Sequence, residues 1–200
     1  MSCASIARWT VLTLLAVLVA ACGGGGGAPA STDAVTELTT TGGGSPGTSA
    51  PQAVATCDLP AGFADVALAL VNDYRSRGAD CGSHGAFGPA GSLARNGQLE
   101  QAALRHSTDM ATHDFFDHTG SDGSTMEERV VAAGYSWSVL AENIAAGHST
   151  VAGVVAAWMG SPDHCANIME PRLREMALAC VRNDATTYKR YWTMDLGTPR

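Results

Sequence analysis

Residues 23 to 56 confine any folding to the part of the chain that follows them. Of these 34 positions, 28 are Gly, Pro, Ser, Thr or Ala, and no apolar periodicity runs through them. Such a stretch cannot bury enough surface to offset the entropy of ordering it, so it reads as a linker. As a flexible coil it would span roughly 30–35 Å root-mean-square, at about 5–6 Å times the square root of its length. It contains Gly43-Gly44-Ser45-Pro46-Gly47, a formal match to the G-x-S-x-G nucleophile elbow. That motif needs a strand before it and a helix after it, and the flanking sequence offers neither. Folding is left to residues 57–200, enough for one domain.

Ahead of the linker, Arg8 is the only charge before an apolar run of 13 residues from Trp9 to Ala21. A spanning helix needs roughly 20, whereas the core of a signal peptide is this short. The run ends in Val19-Ala20-Ala21-Cys22, which resembles the lipobox of bacterial lipoproteins. That resemblance implies a leader at 1–21, a lipidated Cys22 opening a tether at 22–56, and a domain at 57–200. The alternative is a plain signal peptide cut elsewhere. Either way the protein is expected to be extracytoplasmic. With the anchor, Gly23 rather than Asp after the cysteine points to the outer membrane or cell surface. The formal charge of −7 becomes −8 once Arg8 leaves with the leader. An acidic chain with no cluster of Lys and Arg among aromatics is not a nucleic-acid partner.

Cys3 belongs to the leader and Cys22 to the lipid, which leaves Cys57, Cys81, Cys165 and Cys180. Four cysteines in an exported domain read as two disulfides with three possible connectivities. Local pairing, Cys57 with Cys81 and Cys165 with Cys180, is the simplest. With no C-x-x-C, neither a redox site nor a zinc knuckle is indicated.

The pattern from Cys57 onward predicts helices mixed with short strands. Phe63 to Arg75 carries Val66, Leu70 and Tyr74 four apart, with Val71 beside them. Residues 78 to 95 are Gly-rich and read as loop. Asn96 caps a helix to about His113, with Leu99, Ala102, Ala103, His106 and Met110 on one stripe. Ser124 with Glu127 forms a capping-box pattern for a third helix to Ala133. A fourth runs from about Thr150 to Met159. Strand candidates are Leu140–Ala146, Met176–Val181 and Tyr191–Leu196. The mixture predicts an α+β fold with helices on both faces of a small sheet.

Three residues carry candidate chemistry. His118 follows the second helix, Glu142 lies in the predicted strand Leu140–Ala146, and His164 follows the fourth helix. Two imidazoles and a carboxylate from three elements can hold a divalent metal with an open position, or form a hydrogen-bonded structural cluster. His106, on the apolar stripe, reads as a packed histidine with one nitrogen satisfied. His113 suits the C-terminal end of its helix dipole, and Trp137, Trp158 and Trp192 read as core or cleft-wall aromatics.

The segment from Leu99 to Gly120, which ends Phe115-Phe116-Asp117-His118-Thr119-Gly120, resembles the second-helix signature of bacterial CAP domains. Ala141-Glu142-Asn143-Ile144-Ala145 resembles that family's G-E-N-I/L-A strand. Trp158 to Met169 is similar to its W-x-x-S-x-x-H-x-x-N-I/L-M segment, and Tyr191 to Gly197 to its closing strand. Leu70-Val71-Asn72-x-Tyr74-Arg75 resembles its opening helix. Five matches in the family's order span residues 58 to 197. The resemblance implies a three-layer α-β-α sandwich with a central cleft, lined in the family by two His and two Glu.

His118, Glu142 and His164 fall on three of those positions. The resemblance makes them a site for Zn²⁺ or another divalent metal, with Glu142 as a third ligand or as the group that orients an imidazole. After Trp158 the chain offers Ser161 and Asp163 where a second Glu would stand. Met176-Ala177 replaces an Ile-Gly or Met-Gly at which a tighter turn is expected. The implied function is a binding module whose cleft takes a divalent metal or a small apolar or lipid ligand. The alternative is a metal-dependent hydrolase of peptide or envelope polymer, with Glu142 as general base. No H-E-x-x-H, serine elbow or cysteine–histidine signature supports catalysis, so binding is favoured.

Overall fold

The computed structural model describes residues 55–200. The leader, Cys22 and the tether up to residue 54 lie outside the described residues. The last two residues assigned to the tether, Ala55–Thr56, form a short strand (β1).

Helix α1, Phe63–Arg77, runs two residues past its expected end. Its deepest face is Ala64, Ala67, Val71 and Arg75, whereas Val66, placed on the core stripe by spacing, is 53% exposed. The two alanines let the helix approach the core closely, and Arg75 is buried because its guanidinium donates to the carbonyls of Gly91, Ile168, Glu170 and Leu173. Gly78 ends the helix at φ 79°, where a Cβ would sit 2.7 Å from the Phe87 carbonyl oxygen. The stretch read as loop holds a small hairpin, Ala79–Asp80 (β2) with Ala86–Phe87 (β3), a 3-10 turn at Gly82–His84, and the strand Ala94–Arg95 (β4).

Helix α2, Gly97–His113, starts at Asn96, whose side chain accepts from the backbone N–H of Gln98 and Leu99. Helix α3, Met126–Ala132, is capped one residue later than expected, by Thr125 and Glu128 in a reciprocal capping box. Ser124 is already committed to a turn, its N–H on Asp122 and its carbonyl on the N–H of Gly120. Thr150 caps helix α4, Val151–Met159. A further helix, α5 at Pro162–Met169, opens on a proline and carries His164.

The sheet is built from Trp137–Ala146 (β5), Glu175–Arg182 (β6) and Arg190–Pro199 (β7), each longer than its sequence pattern indicated. It has the order β1-β6-β7-β5, and β4 also pairs with β6. β1 lies antiparallel along one end of the outer edge of β6 and β4 parallel along the other. No turn interrupts Met176-Ala177, which lie inside β6 opposite Leu196 and Asp195. Alternation separates the faces. Met176, Leu178, Cys180, Trp192, Met194 and Leu196 pack with α1, α4 and α5. Ala177, Leu140, Ile144, Val181 and Tyr191 pack with α2 and α3. The sheet is thus buried on both faces, the middle layer of an α+β sandwich.

The disulfides correct the local pairing. They join Cys57 to Cys180 and Cys81 to Cys165, across 123 and 84 residues. Cys57 follows β1 and sits on β6, its N–H donating to the Cys180 carbonyl. Cys165 points instead from α5 to the small hairpin. Non-reducing peptide mapping is expected to recover these two long-range pairs. In the loop-entropy account each bond stabilises by about 4–5 kcal/mol, so the double variant Cys57→Ser/Cys180→Ser should lose a comparable amount in chemical denaturation.

Candidate functional site

The chain leaves α2 through Asp114, at φ 50°, whose carboxylate accepts from the N–H and hydroxyl of Thr187 and from the Tyr191 hydroxyl. That clamp fixes the start of the loop bearing His118. The His118 side chain is 55% exposed, and its Nδ1 lies 2.7 Å from Oε1 of Glu142. Glu142 projects from β5 toward α2 and α3 and is itself buried. Its second oxygen accepts from the Arg129 guanidinium at 2.7 Å. Arg129, on α3 and 2% exposed, also donates to the carbonyls of His118 and Ser124. One buried cation therefore neutralises the carboxylate and ties down the loop.

Asp195 of β7 stands directly opposite Glu142 in the strand register and is 1% exposed. Burial first, then the charge of Glu142, push its carboxyl well above the ordinary range. Glu142 is the ionised partner. Burial works to raise it, but the His118 hydrogen bond and the Arg129 charge outweigh burial and hold it below the usual value. His106 lies beneath, fully buried, with Nε2 3.0 Å from the Asp117 carbonyl and 4.0 Å from Glu142. Its Nδ1 has no partner among the described residues, the arrangement its place on the apolar stripe predicts. Burial lowers its pKa, whereas the hydrogen bond to Glu142 raises that of His118.

His164 comes from α5 and is half-buried. Burial, then the charge of His118, lower its pKa, so the two imidazoles sense one another. Its backbone carbonyl accepts from Asn143, and Asn167 donates to Asn143 and to the Glu142 carbonyl. These amides hold α5 against β5. A cleft of about 380 Å³ opens over the cluster, lined by His118, Thr119, Thr125, Met126, Glu127, Glu142 and Asn167.

His118 and Glu142 are in contact, whereas the His164 side chain has no hydrogen bond to either and is not among the residues lining the cleft. Among the described residues no three or more His, Cys, Asp or Glu are grouped to hold a metal ion. Both Glu142 oxygens are engaged, one by His118 and one by Arg129. Orientation of His118 by Glu142 does fit, as metal-binding histidines commonly hand their other nitrogen to a carboxylate. Asp163 is no second acid of this site, since it is exposed and paired with His84 at 2.6 Å. The second carboxylate is Asp195, and the cation is Arg129. Sequence reasoning missed both, although Asp195 stands between Met194 and Leu196 in a strand pattern.

Residues 68–196 match the family CAP, described as the cysteine-rich secretory protein family. The chain belongs to the CAP family. A curated relative, an uncharacterised protein YkwD of Bacillus subtilis (strain 168), is 32% identical over 85 residues, 42% of this chain and 33% of the relative. The chain thus spans about a third of that relative's length. A crystal structure of an extracellular protein containing an SCP domain from Bacillus anthracis str. Ames is similar, with TM-score 0.56 and 24% identity. The likeness covers 68% of this chain and 40% of that one. An outer surface protein of Borrelia burgdorferi is similar at TM-score 0.57 and 16% identity, over 68% of this chain and 92% of that one. These likenesses establish the CAP fold.

A buried ion pair broken from one side leaves a stranded charge. Arg129→Met should therefore destabilise the domain by about 3–5 kcal/mol in chemical denaturation. Adding Glu142→Gln, which removes the stranded carboxylate, should restore a measurable part of the loss.

Proposed function

We propose that this CAP domain is an extracytoplasmic binding module. Its cleft takes a divalent cation, Zn²⁺ among others, or a small polar ligand, through the imidazoles of His118 and His164. The observation that carries this reading is the His118–Glu142–Arg129 chain. A neutralised, buried carboxylate fixes Nδ1 of an exposed imidazole and leaves Nε2 without a partner among the described residues. His164 supplies a second nitrogen donor, and such a two-imidazole set leaves the remaining positions of a tetrahedral ion to water or ligand. The cleft lining is polar except for Met126, which suits a hydrated ion or polar group better than an apolar one. With both oxygens of Glu142 engaged, the residue that a hydrolytic mechanism would need as a free base is committed elsewhere. Binding is therefore favoured over hydrolysis.

The exported setting rests on the apolar leader, the two disulfides, and the extracellular and outer-surface descriptions of the two similar structures. Among the described residues no helix is long and apolar enough to cross a membrane. The proposed attachment is lipid on Cys22, with the tether letting the domain range over the surface.

Calorimetry should give Zn²⁺ binding in the wild type that is lost in His118→Ala and in His164→Ala. Equal affinity in all three would leave only the structural cluster. A metal takes the neutral imidazole, and Glu142 stabilises the protonated form of His118. Affinity should therefore weaken as pH falls through a value above the ordinary imidazole pKa of about 6.5. In Glu142→Gln that midpoint should move down.

Cys22→Ala should move the protein from the detergent phase to the aqueous phase without altering its thermal unfolding. A variant that stays in the detergent phase would rule out the anchor at that cysteine.

A further inference from the structure

Three of the concavities that border α3 follow one another along it and share walls. Glu127 lines both the His118 cleft and a hollow of about 350 Å³ beyond it. Val131 and Trp137 join that hollow to a third, of about 400 Å³, bounded by Tyr135 and Arg200. Helix α3 has 7 residues, about 10 Å at 1.5 Å per residue. A trough along it holds about three or four residues of extended chain at roughly 3.3 Å each.

Backbone irregularities shape this trough. Gly134, at φ 86°, ends α3 and turns the chain toward β5. The register of β5 against β7 then slips between Trp137 and Val139. Under plain alternation Trp137 would join Val139 against the α1 layer. The bulge instead turns it to the side of Leu140 and Val130, on the α3 face. Beside it Val131 is 60% exposed, more than any other exposed large hydrophobic residue of the domain. Charge is placed as distinctly. The Glu128 carboxylate is committed to the N–H of Thr125, but Glu127 has no hydrogen bond or ion pair among the described residues. An uncommitted carboxylate thus borders an apolar floor formed by Val131 and Trp137.

We propose that this trough docks an extended cationic peptide segment. An aliphatic side chain would lie on Val131 and Trp137, an Arg or Lys beside Glu127, and the segment would run toward the His118 cleft. The free Glu127 carboxylate at the end nearest His118 and the net charge of −7 disfavour phosphate-bearing polymers and anionic lipid there, and attract cations over a longer range. The proposal rests on the cleft reading only at the end nearest His118.

Fluorescence polarisation on the full chain tests it with two labelled pentapeptides, Gly-Arg-Leu-Gly-Ser and the same sequence with Glu in place of Arg. The wild type should prefer the Arg peptide by about tenfold. Glu127→Lys should abolish or reverse that preference, and Val131→Asp should weaken the Arg peptide's binding. Both positions are exposed, so circular dichroism should stay unchanged, and Val131→Asp, which lies outside the His118 cleft, should keep its zinc affinity. His118→Ala should keep the Arg preference even where it loses zinc, which separates failure of the metal reading from failure of this one. Equal affinity for the two peptides, or indifference to both substitutions, would overturn the proposal. So would absence of peptide binding from a protein that instead binds phosphatidylglycerol vesicles.

Discussion

A carboxylate inside a sheet covered on both faces must find its counter-charge within the protein, because water is not there to supply it. Glu142 is in that position, and much of the surrounding architecture follows from how it is satisfied. The guanidinium that reaches it comes from α3, so α3 has to lie over this part of the sheet. The same guanidinium grips two carbonyls of the preceding loop, so that loop has one path across the cleft. The exposed imidazole is thereby held by a network whose far end is core. A flexible surface histidine would lose more rotamer freedom on taking up a ligand than one already fixed at Nδ1.

Elements governed by local rules were legible in the sequence. Asn96 caps the helix it was expected to cap, and Thr150, read as the approximate start of the fourth helix, is its cap, because these side chains meet nearby N–H groups whatever the tertiary context. The third helix shows where local reasoning slips. Ser124 and Thr125 are equally good caps, and the choice is made by Asp122, which takes the Ser124 N–H into a turn. Helix α5 was hidden because its eight residues carry too few apolar positions for periodicity, and its proline is as compatible with a turn as with a first helical residue.

The site was half legible for a similar reason. His118 and Glu142 belong to segments with a recognisable pattern. Arg129 reads as an ordinary surface charge on an amphipathic helix until the helix is laid on the sheet. Asp195 interrupts the apolar run of β7, a signal that acquires meaning only when the register sets it against Glu142. The cysteine connectivity lay beyond sequence spacing altogether. It depends on β1 folding back to the end of β6, a contact between the start and the last quarter of the domain.

That contact also decides how the domain bears load. Any tension applied ahead of β1, as the proposed anchor at Cys22 would apply it, would pass through the Cys57–Cys180 bond into β6. The 123-residue loop that the bond closes contains all five α-helices of the described residues. A pull from that side would therefore load a covalent link and a paired strand before any helix. Held by the proposed anchor, the domain would meet such a pull first at a covalent bridge to its sheet.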